Sequence, residues 1–186
     1  VFDCTKEHPI SIFAFAEQAA IHLKNIRMAT DSREIWGPKV WKMLHLFADV
    51  SDRRDVALLW ANVMKTTSEV LPCAICRKHL QGYLKTHTFM KIRQPNLIEG
   101  QQVRQQIMSE LHLIHNVVNH RLGKPIFPFE SLKTTYLGTR VDKLLEAKNI
   151  LEELKLMWGT MIFRAVNPAA LLEWKRSLNL LAALLT

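Results

Sequence analysis

Leu71-Pro72-Cys73-Ala74-Ile75-Cys76-Arg77-Lys78-His79 is the stretch on which the reading of this chain turns. Proline has no N–H and fits the first turn of a helix, where that donor has no partner to lose. Pro72 therefore places the cysteine pair at the opening turn of a helix running to about Thr86. The unpaired backbone N–H groups and the dipole of such a turn favour a thiolate, the reactive form of cysteine. Arg77, Lys78 and His79 add positive charge beside it. By itself the Cys-x-x-Cys spacing serves redox chemistry, zinc binding and chance alike.

Two flanking segments narrow the choice. Upstream is Trp36-Gly37-Pro38-Lys39-Val40-Trp41-Lys42-Met43-Leu44-His45. Trp41 and His45 are four apart, so an aromatic plane and an imidazole share one helix face. Downstream is His115-Asn116-Val117-Val118-Asn119-His120-Arg121-Leu122-Gly123-Lys124-Pro125, in which His115, Asn116 and Asn119 share a face. Burying Asn and His on an apolar helix is costly without partners. A bound cofactor rich in donors and acceptors would supply them.

Further outward the pattern is helical throughout. Ser11 to Met28 is apolar at helical spacing; Gly37-Pro38 suits a helix opening; Asp52 to Val70 forms a third helix; Gly100 to Arg121 a fifth, stopped by Gly123. Gln94-Pro95-Asn96 reads as a loop, and Pro125 and Pro128 as a linker. Thr139 to Phe163 is one long helix, and Asn167-Pro168 caps and opens a last one ending near Leu185. No strand pattern and no Gly-rich phosphate loop is present, which excludes a thioredoxin-type setting for the cysteines. The expected fold is all-α: a four-helix bundle with a short fifth helix, plus extra N- and C-terminal helices. The chain divides into a 1–30 extension, a 31–129 core and a 130–186 appendage.

At 186 residues, 48% of them apolar, the chain can bury a real core. The net charge of +8 favours acidic partners, but Lys and Arg are scattered. That argues for a solvated basic surface and attraction to cofactor phosphates, and against a nucleic-acid face. No apolar run is long enough for a membrane span, and the N-terminus lacks a signal-peptide pattern. Three cysteines are too few for a disulfide-stapled fold. Cys4 stands alone as an inert thiol, an intersubunit bridge or a shuttle.

The three segments, in this order, resemble the Erv/ALR family of FAD-dependent sulfhydryl oxidases. The family pattern Gly-x-x-x-Trp-x-x-x-His is met by Gly37, Trp41 and His45, and its Pro-Cys-x-x-Cys-x-x-His by Pro72, Cys73, Cys76 and His79. Its His-Asn-x-Val-Asn-x-x-Leu-Gly-Lys-Pro is met by His115, Asn116, Val118, Asn119, Leu122, Gly123, Lys124 and Pro125. The resemblance implies a bundle wrapped around FAD, held by Trp36, Gly37, Trp41, His45, His79, His115, Asn116, Asn119 and Lys124. It implies that Cys73 meets the incoming thiol, that Cys76 lies against the isoalloxazine, and that electrons pass through FAD to O2, giving H2O2. It also implies a homodimer, an expectation supported by apolar faces over Ser11–Met28 and from Thr139 onward that a small bundle cannot cover.

The match spans about Ile35 to Pro125, and departures lie inside it. Leu71 stands where the family has Tyr, and Leu113 where many relatives have a polar residue, with His112 one place earlier. A shuttle cysteine pair is absent, so the thiols come from another protein, a substrate or a thioredoxin-like intermediary. Trp-Gly-Pro-Lys and Leu-Pro-Cys look most like members encoded by large DNA viruses. A viral member would act in the host cytoplasm at sites of virion assembly or in the virion. Two rival readings stay open. One is a zinc-stabilised helical interaction module, using Cys73, Cys76 and His79 with His112 or His115. The other is an FAD-binding scaffold without turnover.

Overall fold

The computed structural model describes residues 33–87, 100–161 and 166–186. The expected helix over Ser11–Met28, the loop at Gln94-Pro95-Asn96 and Cys4 lie outside the described residues. Seven helices and no strand occupy the described residues: α1 (Arg33–Asp49), α2 (Arg54–Val70), α3 (Ala74–Thr86), α4 (Gln101–Arg121), α5 (Ser131–Thr135), α6 (Arg140–Met161) and α7 (Pro168–Leu184). The all-helical class is as expected.

One boundary differs by a full turn. Helix α1 begins at Arg33, not at Gly37-Pro38, and carries Pro38 inside it. Pro38 forfeits the single bond that would run to the Glu34 carbonyl. Trp36, only 5% exposed, anchors the leading turn in the core and offsets that loss. The short α5 has no counterpart in the periodic pattern, since five residues are too few to show one.

Glycine sets the ends of α4. Gly100 precedes it at φ 88° and Gly123 follows at φ 66°, a region that only glycine enters freely. The Gly100 N–H donates to the Asp52 carbonyl at 2.7 Å, tying the start of α4 to the α1–α2 corner. Inside that corner Ser51 Oγ donates to the Phe47 carbonyl at 2.7 Å and accepts from Trp60 Nε1 at 3.0 Å. At the other end of the chain, Asn167 Oδ1 accepts from the Ala169 N–H at 2.9 Å, and Pro168 opens α7 as its spacing predicts.

Helix α1 packs on α4, and α2 on α3 and α4, while α6 lies along α1 and α7 along α2. Ion pairs give the direction of the α1–α6 contact. Lys39 reaches Glu153 at 2.6 Å, Lys42 reaches Glu146 at 2.5 Å, Asp49 meets Lys143, and Asp52 meets Arg140 at 3.0 Å. Partner numbers fall as α1 advances, so the two helices run antiparallel. Three of these pairs are exposed and worth at most about 1 kcal/mol each, and only Asp49–Lys143 is half-buried, so the ladder sets register more than stability. Helix α7 is likewise antiparallel to α2, with Asn62 donating to Ser177 Oγ at 2.8 Å and Trp174 Nε1 to Thr67 Oγ1 at 3.2 Å.

The apolar residues from Thr139 onward are mostly not an uncovered face, which corrects that expectation. Leu144, Ala147, Leu151, Leu154, Trp158, Trp174, Leu178 and Leu181 are buried in one cluster with Leu44, Phe47, Trp60 and Met64. Two more helices of the same chain supply the cover that a second copy was expected to give.

Candidate active site

Cys73 is the N-cap residue of α3, and its Sγ accepts from the Cys76 N–H at 3.2 Å. A disulfide joins Cys73 to Cys76 with the Cα atoms 5.1 Å apart. The helix N-terminus thus presents an N–H to one sulfur of the pair, an arrangement that stabilises negative charge when the bond opens. Cys73 is 8% exposed and Cys76 half-buried, while Ala74 and Ile75 between them stand in solvent. His79 lies one turn on in α3, half-buried.

Where α1 meets α4, a cluster of rings forms. Trp41 stacks on His115 with centroids 4.2 Å apart and planes at 9°. His45 Nε2 and His115 Nδ1 are 3.1 Å apart, sharing one proton, and Tyr136 stacks on His45 at 5.4 Å. His45 is fully buried, yet among the described residues its Nδ1 has no partner; the same holds for Trp36 Nε1 on the same helix. Whichever nitrogen of His45 holds the proton, one buried polar atom is left over. An orphan of that kind costs roughly 1–3 kcal/mol unless something fills it.

Burial sets the charge of this cluster. The His45 imidazole is held down at about 3, by desolvation first and then by His115 and His112. His115 is held at about 4 by desolvation, His112 and Lys124. Both rings are therefore neutral at pH 7. Both values lie below the ordinary 6.5, so on acidification the unfolded chain takes up these protons before the folded one. The stability they confer is complete above about pH 6.5 and is lost as pH falls toward 4 and then 3. His115 is the less buried of the two, so His45 carries most of the effect. Between pH 6.5 and 4.5 the loss should be roughly 2 kcal/mol. Thermal melts of the parent and His45→Gln across that range check this: the variant should show the flatter dependence.

Asn116 is committed to the loop after α4. Its Oδ1 accepts from the Phe127 N–H at 2.8 Å, and its Nδ2 donates to the Phe127 carbonyl at 2.9 Å. His112 Nε2 donates to the same carbonyl at 2.6 Å. The 3.0 Å approach of Asn116 Nδ2 to His112 Nε2 is two donors converging on one acceptor. Residue 127 is thereby pinned beside the rings, with Phe127 5.9 Å from His115. Asn119 sits half-buried one turn after His115, and its carbonyl accepts from the Lys124 N–H at 2.9 Å. Lys124 is exposed, as is the space at Gly37, where an added Cβ would meet nothing within 4 Å.

The structure thus gathers Trp41, His45 and His115, brings Trp36 along on α1, and leaves Cys73, Cys76 and His79 on α3. Tyr136 and Phe127 join the ring cluster without any signal in the sequence pattern, because both sit in non-periodic stretches. The one available cue was proline on either side, at 125 and 128, fixing an extended path straight after α4. The zinc reading loses its ligands: Cys73 and Cys76 bond each other, and His112 and His115 are engaged elsewhere. Among the described residues no group of His, Cys, Asp and Glu is arranged to hold a metal ion. Nor is any described helix long and apolar enough to cross a membrane.

The Erv1 / Alr family model matches residues 38–137, more than half of the 186. The protein named "Putative FAD-linked sulfhydryl oxidase 347L" of Invertebrate iridescent virus 6 is 33% identical over 99 residues, covering 50% of this chain and 85% of its own. The FAD-linked sulfhydryl oxidase of African swine fever virus is 31% identical over 107 residues, 54% of this chain and 79% of its own. FAD-linked sulfhydryl oxidase ERV1 of Oryza sativa subsp. japonica is 29% identical over 120 residues, 61% of this chain and 55% of its own. No solved structure shows a significant match to the chain. With a disulfide at a helix start, a ring cluster across α1 and α4, and a matching family model, this chain belongs to the Erv1 / Alr family, that of these FAD-linked sulfhydryl oxidases.

Proposed function

We propose that this FAD-linked sulfhydryl oxidase makes disulfides in a thiol-bearing protein partner at Cys73–Cys76, and that O2 is the final acceptor. The observation that carries the reading is the disulfide whose N-cap sulfur faces the Cys76 N–H. A substrate thiolate attacks Cys73 Sγ, the Cys73–Cys76 bond breaks, and Cys76 leaves with the electron pair. A second substrate thiolate attacks the substrate sulfur, closing the product disulfide and releasing Cys73 as thiolate. When bound, FAD supplies the two-electron acceptor that returns the pair to a disulfide and delivers the electrons to oxygen as hydrogen peroxide.

The donor set fits FAD. Flat rings suit its flat ring systems, and the buried Trp36 Nε1 and His45 Nδ1, unpartnered among the described residues, suit its polar edges. Trp36, Gly37, Trp41, His45, His79, His115, Asn119 and Lys124 are proposed to hold it, with neutral His45 and His115 able to donate or accept. Asn116 contributes by bracketing Phe127 against the rings. Asn116→Ala strips two hydrogen bonds from the Phe127 backbone, so stability should fall by about 1–3 kcal/mol, with flavin content falling too. Melting followed by flavin absorbance reads both; full occupancy with unchanged melting removes Asn116 from the seat.

Oxygen uptake with dithiothreitol tests the whole reading. One peroxide per disulfide formed is expected from the purified yellow chain, and a yellow chain without uptake would be the scaffold instead. The homodimer remains a proposal on the family resemblance. On the described helix α6 the large apolar residues that stay exposed are Val141, Leu145 and Leu156. Sedimentation at micromolar concentration decides it.

A further inference from the structure

The turn that leads into the active disulfide is held by a side chain outside the family motif. Leu71 ends α2 and Cys73 caps α3, so two peptide units, Leu71–Pro72 and Pro72–Cys73, form the whole joint between the two helices. Pro72 has no N–H with which to anchor that joint. Arg77 anchors it instead. Its Nη1 donates to the Leu71 carbonyl at 2.6 Å and approaches the Pro72 carbonyl at 3.4 Å, while its own N–H donates to the Cys73 carbonyl at 2.9 Å. Three successive carbonyls ahead of and at the reactive cysteine are therefore addressed by one residue.

We infer that Arg77 is the positioning residue of the redox pair, clamping the Leu71–Cys73 backbone so that Cys73 stays in its N-cap position while the disulfide is open. The inference rests on Cys73 being the thiol-facing sulfur. In the oxidised chain the S–S bond itself holds Cys73 in place. Once a substrate thiolate has broken that bond, the packing of Leu71 and Cys73 and the Arg77 contacts to the joint are left to keep Cys73 Sγ within reach of the Cys76 N–H. The consequence is chemical as well as structural. In the resolving step a second substrate thiolate attacks the substrate sulfur of the mixed disulfide; a new S–S bond forms in the product, and Cys73 leaves with the electron pair. A leaving thiolate that keeps its N–H donor and a nearby cation leaves faster.

Other charged groups stand on the two helices that meet at this joint. On α3 they include Lys78 and His79, and in the last turns of the packed helix α2 Lys65 and Glu69, which pair with each other at 4.0 Å. Among the described residues none of these groups bonds to the joint, whereas Arg77 reaches it twice through its side chain. Burial lowers the affinity of the guanidinium for its proton, yet Arg77 stays charged at any working pH.

Iodoacetamide alkylation of the fully reduced, flavin-loaded chain, run without oxygen from pH 5 to 9 and mapped to the Cys73 peptide, reads the clamp directly. Arg77→Met should raise the pH midpoint of Cys73 alkylation by roughly half a unit, about threefold slower labelling on the acid side. Lys85→Met, which removes an exposed cation from the far end of α3, should leave the midpoint where it is. Should Arg77→Met fail to fold, Arg77→Lys keeps the charge but loses the planar fork, and should shift the midpoint the same way by less. A midpoint unchanged in the Arg77 variant that folds, or moved equally by Lys85→Met, overturns the inference. Because no turnover is measured, a shifted midpoint in a chain that consumes no oxygen would sink the oxidase reading and leave the clamp standing.

Discussion

Cys73→Ser and Cys76→Ser should each reduce dithiol-driven oxygen uptake to the rate of free FAD and thiol in solution, the largest effect expected of any single substitution here. The reason is that exchange needs two sulfurs in one place: one to be attacked, one to leave. Either serine removes the S–S bond that the substrate thiolate must break. The two variants should nevertheless fail differently. With Cys76→Ser, Cys73 keeps its place at the N-cap of α3. Offered an aromatic disulfide such as 5,5′-dithiobis(2-nitrobenzoate), its thiolate attacks one reagent sulfur, expels one thiolate, and is trapped as a mixed disulfide with no neighbour to displace it. With Cys73→Ser, the serine hydroxyl takes over the cap, and Cys76, one turn into the helix, should react more slowly at pH 6. Faster reaction of Cys76 would reverse the assigned roles. Parent-rate turnover by either variant would mean the pair is not the active site.

Much of this site is written in local spacing. A proline before Cys-x-x-Cys announces a helix start, and the structure has Cys73 as the cap and Ala74 as the first helical residue, two positions after the expected start at Pro72, which lies ahead of the cap. Trp41 and His45 share a face because they are four apart, and they do meet His115. What local spacing could not carry is contact between distant stretches. Tyr136 on His45 and Phe127 on Asn116 join residues from non-periodic loops to residues on helices, and nothing in a helical repeat encodes that. Asn116 shows the same limit from the other side. Its amide pattern marked it as needing partners, and the partner found among the described residues is a backbone eleven positions on, at Phe127, where a cofactor had been expected. Helix α1 starting ahead of Pro38 is a case of tertiary burial, through Trp36, overriding a local rule.

Trp174→Ala should cost roughly 3–5 kcal/mol, a large part of the stability of an ordinary domain. Trp174 is fully buried, lies 4.2 Å from Trp158 centroid to centroid, and donates to Thr67 Oγ1 at 3.2 Å on α2. Removing it opens a cavity between α2, α6 and α7 and leaves the Thr67 hydroxyl one partner short. For a chain of this length the melting temperature should fall by about 10 °C or more. The shape of the melt carries the further information. Since α6 covers α1, which bears Trp36, Trp41 and His45, loosening the C-terminal pair should loosen the flavin seat with it. Flavin release and loss of helix should then coincide in one transition, shifted as a whole. Two transitions, with flavin release unmoved, would instead mark residues 130–186 as a separate appendage on a self-sufficient core. Thr67→Val sets the scale: it removes only the hydrogen bond, and should cost about 1 kcal/mol on the same single transition.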